Sequence, residues 1–493
     1  MPSTAATPTP AFERMPDWLS RQSRLNRGSL ALRDDSVRLT WGELDTAVGR
    51  CAASLRGRGV GPGQRVGLLA GNSCHLAVAI LALQRVGAVL VPLNVRLSPP
   101  EIASLARAGE TVAIIADDEH AALASGAASD VWSLAELAGE TGPSIRQASV
   151  IDLAAVQSVV FTSGTTGTPK GAQLTYGNWY WGTIGSTIHL GHLPTDRWLA
   201  VLPLFHVGGL AILFRSAITG VPVEIHRRFD PDRVRHALAN GTALASLVPT
   251  MLDHVLESTG ARRIENQARA VLIGGADAPR DLIERALTAG LPVAPTYGLT
   301  ETASQVATLR PDRVLGHVGS SGQPLPATEL RIDGDPGRPG DILVRGRTVM
   351  RGYVGAESGL DAEGWFRTGD IGELDDEGYL TVLDRRTDLI VSGGENVSPA
   401  EVENVLLAYP GVAEAAVVAR DDPRWGAVPV AFVVPRPGTP ADPGALAIHA
   451  RRSLAGYKVP KAFQFVEDLP RTASGKIRRA ELRAAVHAKS DPS

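Results

Sequence analysis

Short β-branched apolar runs recur along this chain, and amphipathic segments of helical length separate them. Arg65–Ala70, Ala88–Pro92, Thr111–Ala116, Ser158–Thr162, Ala245–Pro249 and Ala270–Ile273 are each strand-sized. Alternation of this kind predicts mostly parallel sheets covered by helices, because a parallel pair must be joined by a long crossover. From about Gly337 to Tyr379 the character changes. Glycine-rich turns (DPGRPGD, LDDEGYL) separate short strands such as DILVRG and YLTVLD, which predicts a small antiparallel β subdomain. A break follows Asp384. The stretch after it reads as a fresh start: a strand, a glycine turn, a helix opened by Ser398-Pro399 with Glu401 in its first turn, then another strand. The expected organisation is a large N-terminal domain over 1–384, a hinge at 385–388 and a smaller α+β C-terminal domain over 389–493. The fold class is α/β. Residues 117–150 are alanine-rich and carry no functional reading, and no internal repeat is visible.

With 493 residues the chain can bury a large core and exceeds one ordinary domain. Lysine plus arginine (49) nearly balance aspartate plus glutamate (52), so charge gives no reason to expect nucleic acid as a partner. Two cysteines, Cys51 and Cys74, rule out a disulfide framework, so a reducing cytoplasm is the expected location. The first residues lack the apolar core of a secretory signal. The most apolar stretch, Leu76–Leu93, is interrupted by Gln84, Arg85 and Gly87, so it reads as a helix followed by a buried strand and not as a membrane span.

The segment carrying most chemistry is Thr162-Ser163-Gly164-Thr165-Thr166-Gly167-Thr168-Pro169-Lys170-Gly171, directly after a β-run. Glycines let several backbone N–H groups converge on one anion, hydroxyls add donors, and a lysine adds a mobile positive charge. A Ser/Thr/Gly loop alone is often mere surface, but this density behind a buried strand suits a polyphosphate. It is not a Walker loop, because Pro169 stands where the second glycine of that motif belongs.

With its neighbours this segment resembles the signature of the adenylate-forming enzymes, the family of acyl- and aryl-CoA synthetases, peptide-synthetase adenylation domains and luciferases. Pro203-Leu204-Phe205-His206, Gly274-Gly275-Ala276, Tyr297-Gly298-Leu299-Thr300-Glu301-Thr302, Trp365-Phe366-Arg367-Thr368-Gly369-Asp370, Asp384-Arg385 and Pro470-Arg471-Thr472-Ala473-Ser474-Gly475-Lys476 follow in the family's order. The resemblance spans about residues 15 to 485. It implies a large N-terminal domain of stacked sheets and a C-terminal domain that rotates between two half-reactions. ATP and Mg2+ serve the first, coenzyme A the second.

By that resemblance Thr162 to Gly167 and Lys170 bind the phosphates, and Gly274, Gly275 and Ala276 lie against adenine, with Tyr297 and Gly298 nearby. Thr300 contacts the α-phosphate and Glu301 holds Mg2+, a hard ion suited to carboxylate and phosphate oxygen. Asp370 takes the ribose hydroxyls, and Arg385 reaches ribose or phosphate. Lys476 bridges the attacking carboxylate and the α-phosphate, offsetting charge in the transition state. After rotation Gly393 and Gly394 line the path of the thiol. The pivot falls near Thr387, where the family often carries Asp or Lys.

The segments TYGNWYWGTIGSTIHLG, DRWLAVLPLFHVGGLAILFRS and SGGENVSPAEVENVLL further resemble the o-succinylbenzoate–CoA ligases of menaquinone biosynthesis. Such a substrate keeps a second carboxylate. Arg215, a charge within the apolar run 199–217, is the candidate cation, the alternative being a helix's wet face. Trp179, with Tyr180 and Trp181, either walls an aromatic pocket or belongs to the core. His206 orients substrate, gates the thiol path or is structural. Other readings stay open: another acyl- or aryl-CoA ligase (benzoate-like, malonyl or medium-chain acids), a free-standing loader of a carrier protein, or a binding protein that has lost activity. The expected partners are small molecules, with a homodimer left open.

Overall fold

The computed structural model describes residues 13–145, 150–162, 169–258, 263–276, 278–334, 338–356, 358–385, 389–436, 442–470 and 477–488, with backbone alone at 384–385, 400, 480 and 487–488. Two large sheets dominate. The first runs in spatial order Gly352–Tyr353, Lys170–Thr175, Val156–Thr162, Val89–Pro92, Arg65–Leu69, Thr111–Ala116, Val131–Ser133. Its strands from Val156–Thr162 onward are parallel, and the first two pair antiparallel. The second sheet has a parallel centre: Val293–Leu299, Ala270–Ile273, Leu244–Leu247, Trp198–Ala200, Val223–Ile225 and Leu30–Arg33. Antiparallel strands close both of its edges.

The predicted runs form the expected strands. Most boundaries shift by one or two residues; the telling shift is that the strand drawn to Pro249 ends at Leu247, and Pro249 opens the helix Pro249–Glu257. Proline's fixed φ and missing N–H suit the first helical position and not a central strand. Leu76–Leu93 divides as expected into the helix Cys74–Val86 and the strand Val89–Pro92. Ser73 caps that helix by accepting from Leu76 N, and Gly87 ends it at φ 76°. Every side chain of the helix except His75 is buried, so its sequence is apolar on every side through Leu83, and the buried Arg85 is paired with Asp17 and Asp45. No described helix is long and apolar enough to cross a membrane.

A third, four-stranded sheet is wholly antiparallel: Thr328–Asp333, Gly340–Gly346, Phe366–Leu374 and Leu380–Arg385. Beyond it a smaller five-stranded sheet (Ile390–Ser392, Glu395–Val397, Val412–Asp422, Gly426–Pro435, Ala462–Phe465) packs its own core around Val402, Leu406, Val417 and Val433. Ser398 caps the helix Pro399–Leu407, as the Ser-Pro-x-Glu pattern predicts. In the weakly patterned 117–150 the described part supplies two one-turn helices and the edge strand Val131–Ser133. The predicted hinge residues 386–388, including Thr387, lie outside the described residues.

Candidate active site

In a parallel sheet the crevice between the loops that lead to helices, with the helix N-termini they open, makes the carboxyl ends the natural place for ligands. Here Leu202, Val248, Gly274 and Thr300 each follow a strand of the second sheet, and all four line one cavity of about 590 Å³. The first sheet contributes Thr162 and Lys170, the antiparallel sheet Asp370, and the C-terminal sheet Gly393 and Gly394. Segments more than two hundred residues apart therefore meet at one hollow.

At the end expected to hold phosphate, Thr162 and Lys170 are paired across the base of the glycine-rich loop, with the Thr162 hydroxyl donating to the Lys170 carbonyl at 3.4 Å. Ser163, Gly164, Thr165, Thr166 and Gly167 lie outside the described residues. Lys170 Nζ stands 5.4 Å from the centre of the Tyr353 ring, and the Tyr353 hydroxyl donates to Glu301 Oε1 at 2.8 Å. Burial and the neighbouring Glu301 carboxylate push the Tyr353 hydroxyl well above the ordinary phenol range, so it stays a donor. Thr300 and Glu301 sit on a single 3-10 turn. Directly after it Ala303 (φ 52°) and Ser304 (φ 103°) are held in the left-handed region without being glycine. Such backbone strain gathers at sites where side-chain direction matters. Gly298 answers a packing demand: a Cβ there would lie 1.6 Å from the Ser304 carbonyl oxygen.

At the end expected to hold ribose, Asp370 is buried and its Oδ2 accepts from the Tyr297 hydroxyl at 2.7 Å. Tyr297 supports the wall from behind, and neither it nor Ala276 is among the lining residues. Arg385 pairs with Asp370 through the backbone of adjacent strands, and its side chain lies outside the described residues. So does Lys476.

At the acyl end Arg215 projects from the helix Val207–Thr219 and is only 3% exposed, yet it lines the cavity. Its Nη2 donates to Gln305 Oε1 at 2.6 Å, its guanidinium carbon lies 5.5 Å from the Trp198 ring centre, and its Nε has no hydrogen-bond partner among the described residues. No described carboxylate lies within ion-pair distance of it. Burial holds its pKa down to about 10, still charged at neutral pH. Gln305 in turn donates to Thr308 Oγ1 at 2.7 Å, which fixes the amide and so the guanidinium. The reading of Arg215 as a residue on a wet helix face is thereby corrected.

His206 precedes the same helix, and its Nε2 lies 3.1 Å from Glu395 Oε2. Glu395 is buried and also meets Asn94 Nδ2 at 2.7 Å and Arg96 Nη1 at 3.2 Å. Burial alone would raise its pKa, but His206, Arg96 and Asn94 together hold it below the ordinary value. Next to it Gly393 (φ 58°) turns so tightly that a Cβ would meet the Trp425 ring at 2.8 Å.

Trp179 does not reach the cavity. It is buried among core residues, 5.0 Å from the Phe214 ring, with its Nε1 donating to Ser158 Oγ at 3.1 Å. Tyr180 and Trp181 pack edge to face on one another at 5.5 Å and likewise do not line it. Three consecutive aromatics on a helix point in different directions, so they cannot form one wall. Tyr353, Gln305 and the Asn94–Arg96 pair escaped sequence reading, because no local pattern marks partners that lie far away in the chain.

For Mg2+ the described residues offer one carboxylate at the phosphate end, Glu301, and contain no cluster of three potential metal ligands. That fits an ion that keeps its waters and takes most other ligands from phosphate oxygens.

The profile of AMP-binding enzymes matches residues 19–354, and that of their C-terminal domain residues 401–476. A 2-succinylbenzoate–CoA ligase from Bacillus cereus is 41% identical over 487 residues, covering 96% of this chain and 99% of the relative. Two structures of o-succinylbenzoate CoA synthetase from Bacillus subtilis are also similar. A double mutant bound to the product analogue OSB-NCoA aligns at a TM-score of 0.90 with 38% identity, covering 96% of this chain and 99% of that one. The complex with the acyl-adenylate OSB-AMP aligns at 0.73 with 37% identity, covering 97% and 99%.

Proposed function

The chain belongs to the AMP-binding enzyme family, and on that premise we propose that it joins 2-succinylbenzoate to coenzyme A at the expense of ATP. In the first half-reaction a substrate carboxylate oxygen attacks the α-phosphorus, the bond to the bridging oxygen breaks, and pyrophosphate leaves. In the second the coenzyme A sulfur, having lost its proton, attacks the acyl carbon, and AMP leaves with the C–O bonding electrons. One observation carries the choice of acid: Arg215, a buried guanidinium without a carboxylate partner among the described residues, opens onto the cavity. A buried cation is costly to leave unpaired, and the second carboxylate of this substrate would neutralise it.

Further assignments extend this reading. Thr162 and Lys170 would steady the phosphates, Glu301 would hold Mg2+ and Asp370 the ribose hydroxyls. When bound, Mg2+ would neutralise charge on the phosphate oxygens. Thr300 would contact the α-phosphate. Gly274 and Gly275 would lie along the adenine, and Lys476 would bridge the reacting groups. Gly393 and Gly394 would border the pantetheine path, beside His206. The domain limits 1–384, 385–388 and 389–493 belong to the same reading. The higher likeness to the product-analogue complex supports taking this arrangement as the thioester-forming one. The test is AMP release from a panel of acids with and without coenzyme A. Turnover with 2-succinylbenzoate and coenzyme A, and not with benzoate or medium-chain acids, is expected. Equal turnover of a monocarboxylate would overturn the choice of acid.

A further inference from the structure

Besides the contact of His206 with Glu395, the C-terminal domain docks on a stretch of the large domain running from Asn94 into the helix Pro99–Ala108. Asn94 and Arg96 reach Glu395, and Ser98 Oγ lies 3.0 Å from the Ser453 carbonyl oxygen. The strongest contact of this dock outside the cavity is ionic. Lys458, 5% exposed, places Nζ 2.6 Å from Glu101 Oε1 on the large domain and 2.8 Å from Glu401 Oε1 on its own domain. Burial alone would lower the lysine's pKa, but the Glu401 and Glu101 carboxylates more than reverse that, so its pKa is raised. Glu101 divides its carboxylate. Oε2 accepts from Ser98 N and Oγ at 2.8 and 2.6 Å, capping the helix, while Oε1 faces Lys458.

We propose that Lys458 is a positioning residue for thioester formation, an ionic latch to Glu101 that holds the C-terminal domain in this orientation. The inference rests on reading this orientation as the thioester-forming one. Glu401 lies in the same domain as Lys458, so that pair travels with the domain. The pair with Glu101 crosses the interface and exists only while the domains are docked this way. An interaction present in one orientation and absent from the other biases their populations by its own free energy. Buried ion pairs add little net stability, because desolvation offsets attraction, but they select strongly for the geometry that completes them. Neither Glu101 nor Lys458 lines the cavity, so their replacement leaves the substrate contacts in place.

The decisive variant is Glu101→Gln, because glutamine's amide oxygen can still cap Ser98 while the charge facing Lys458 is lost. Three readouts are compared with the parent chain: adenylate formation without coenzyme A in a single turnover, consumption of preformed acyl-adenylate at saturating coenzyme A, and the distance distribution between spin labels on the two domains. The latch predicts adenylate formation within about twofold of parent, thioester formation slowed roughly tenfold, and a distance distribution shifted away from the docked value. Lys458→Met should behave like Glu101→Gln, the double variant should be no worse than either single one, and Lys458→Arg should restore the parental partition. Equal slowing of both half-reactions, or an unmoved distance distribution, overturns the latch. If the parent forms no thioester with any acid, the proposed function fails, while the label distances in parent and Glu101→Gln still decide the latch.

Discussion

Replacing Arg215 by methionine removes the guanidinium and keeps most of its apolar stem. The side chain is buried, hydrogen-bonded to Gln305 at 2.6 Å, and without a carboxylate partner among the described residues. In the complex it would face the second carboxylate of 2-succinylbenzoate across a dry wall. Removing one member of a buried charge pair costs about 2–5 kcal/mol, chiefly because the other charge is left without compensation. At about 1.4 kcal/mol per decade, a mid-range loss lowers kcat/KM for this acid roughly 100- to 1000-fold. The KM for ATP should stay within about twofold, because that end of the cavity is built from other elements. In the free protein the change removes an uncompensated buried cation, so the melting temperature should hold or rise. The assay is steady-state AMP release at varied acid and varied ATP, with benzoate as the monocarboxylate control. If kcat/KM for both acids fell equally, or if the KM for 2-succinylbenzoate stayed at the parental value, the assignment of Arg215 to the second carboxylate would be refuted.

Lys476→Ala should nearly abolish adenylate formation while a preformed adenylate is still converted to thioester; equal loss of both half-reactions in rapid-quench measurements would contradict the role given to Lys476. Trp179→Phe should lower stability by roughly 2 kcal/mol, through a smaller ring and a lost bond to Ser158, with the KM for the acid unchanged; a selective rise in that KM would return Trp179 to the pocket. His192 lies near Arg215, and burial together with that charge lowers its pKa from 6.5 to about 4. The folded protein therefore binds fewer protons than the unfolded chain between these values. The stability present above pH 6.5 should decline as pH falls towards 4, and His192→Gln should flatten that decline. Denaturant unfolding at several pH values checks it, and parallel curves for parent and variant would disprove the assignment.

Local pattern was sufficient for elements whose cause is local. The β-branched runs, the Ser398-Pro399 helix start and the glycine turn at Gly393 depend on dihedral preference and nearest-neighbour hydrogen bonds, and both are written in consecutive residues. The ordered motifs likewise made Asp370, Glu301 and Lys170 legible as candidates, because a ligand's chemistry restricts residue type. What the chain order could not carry was direction and partnership. Trp179, Tyr180 and Trp181 are equivalent as text, and only the packing of their helix against Phe214 sends Trp179 into the core. Arg215 had two readings until the fold turned it inward without a carboxylate partner. Tyr353 on Glu301, Asn94 on Glu395 and Lys458 on Glu101 join residues 52, 301 and 357 positions apart. Sequence determined which groups are available for chemistry. Tertiary structure decided which are desolvated and brought together, since burial and separation through space, not along the chain, set the strength of a charge's interactions.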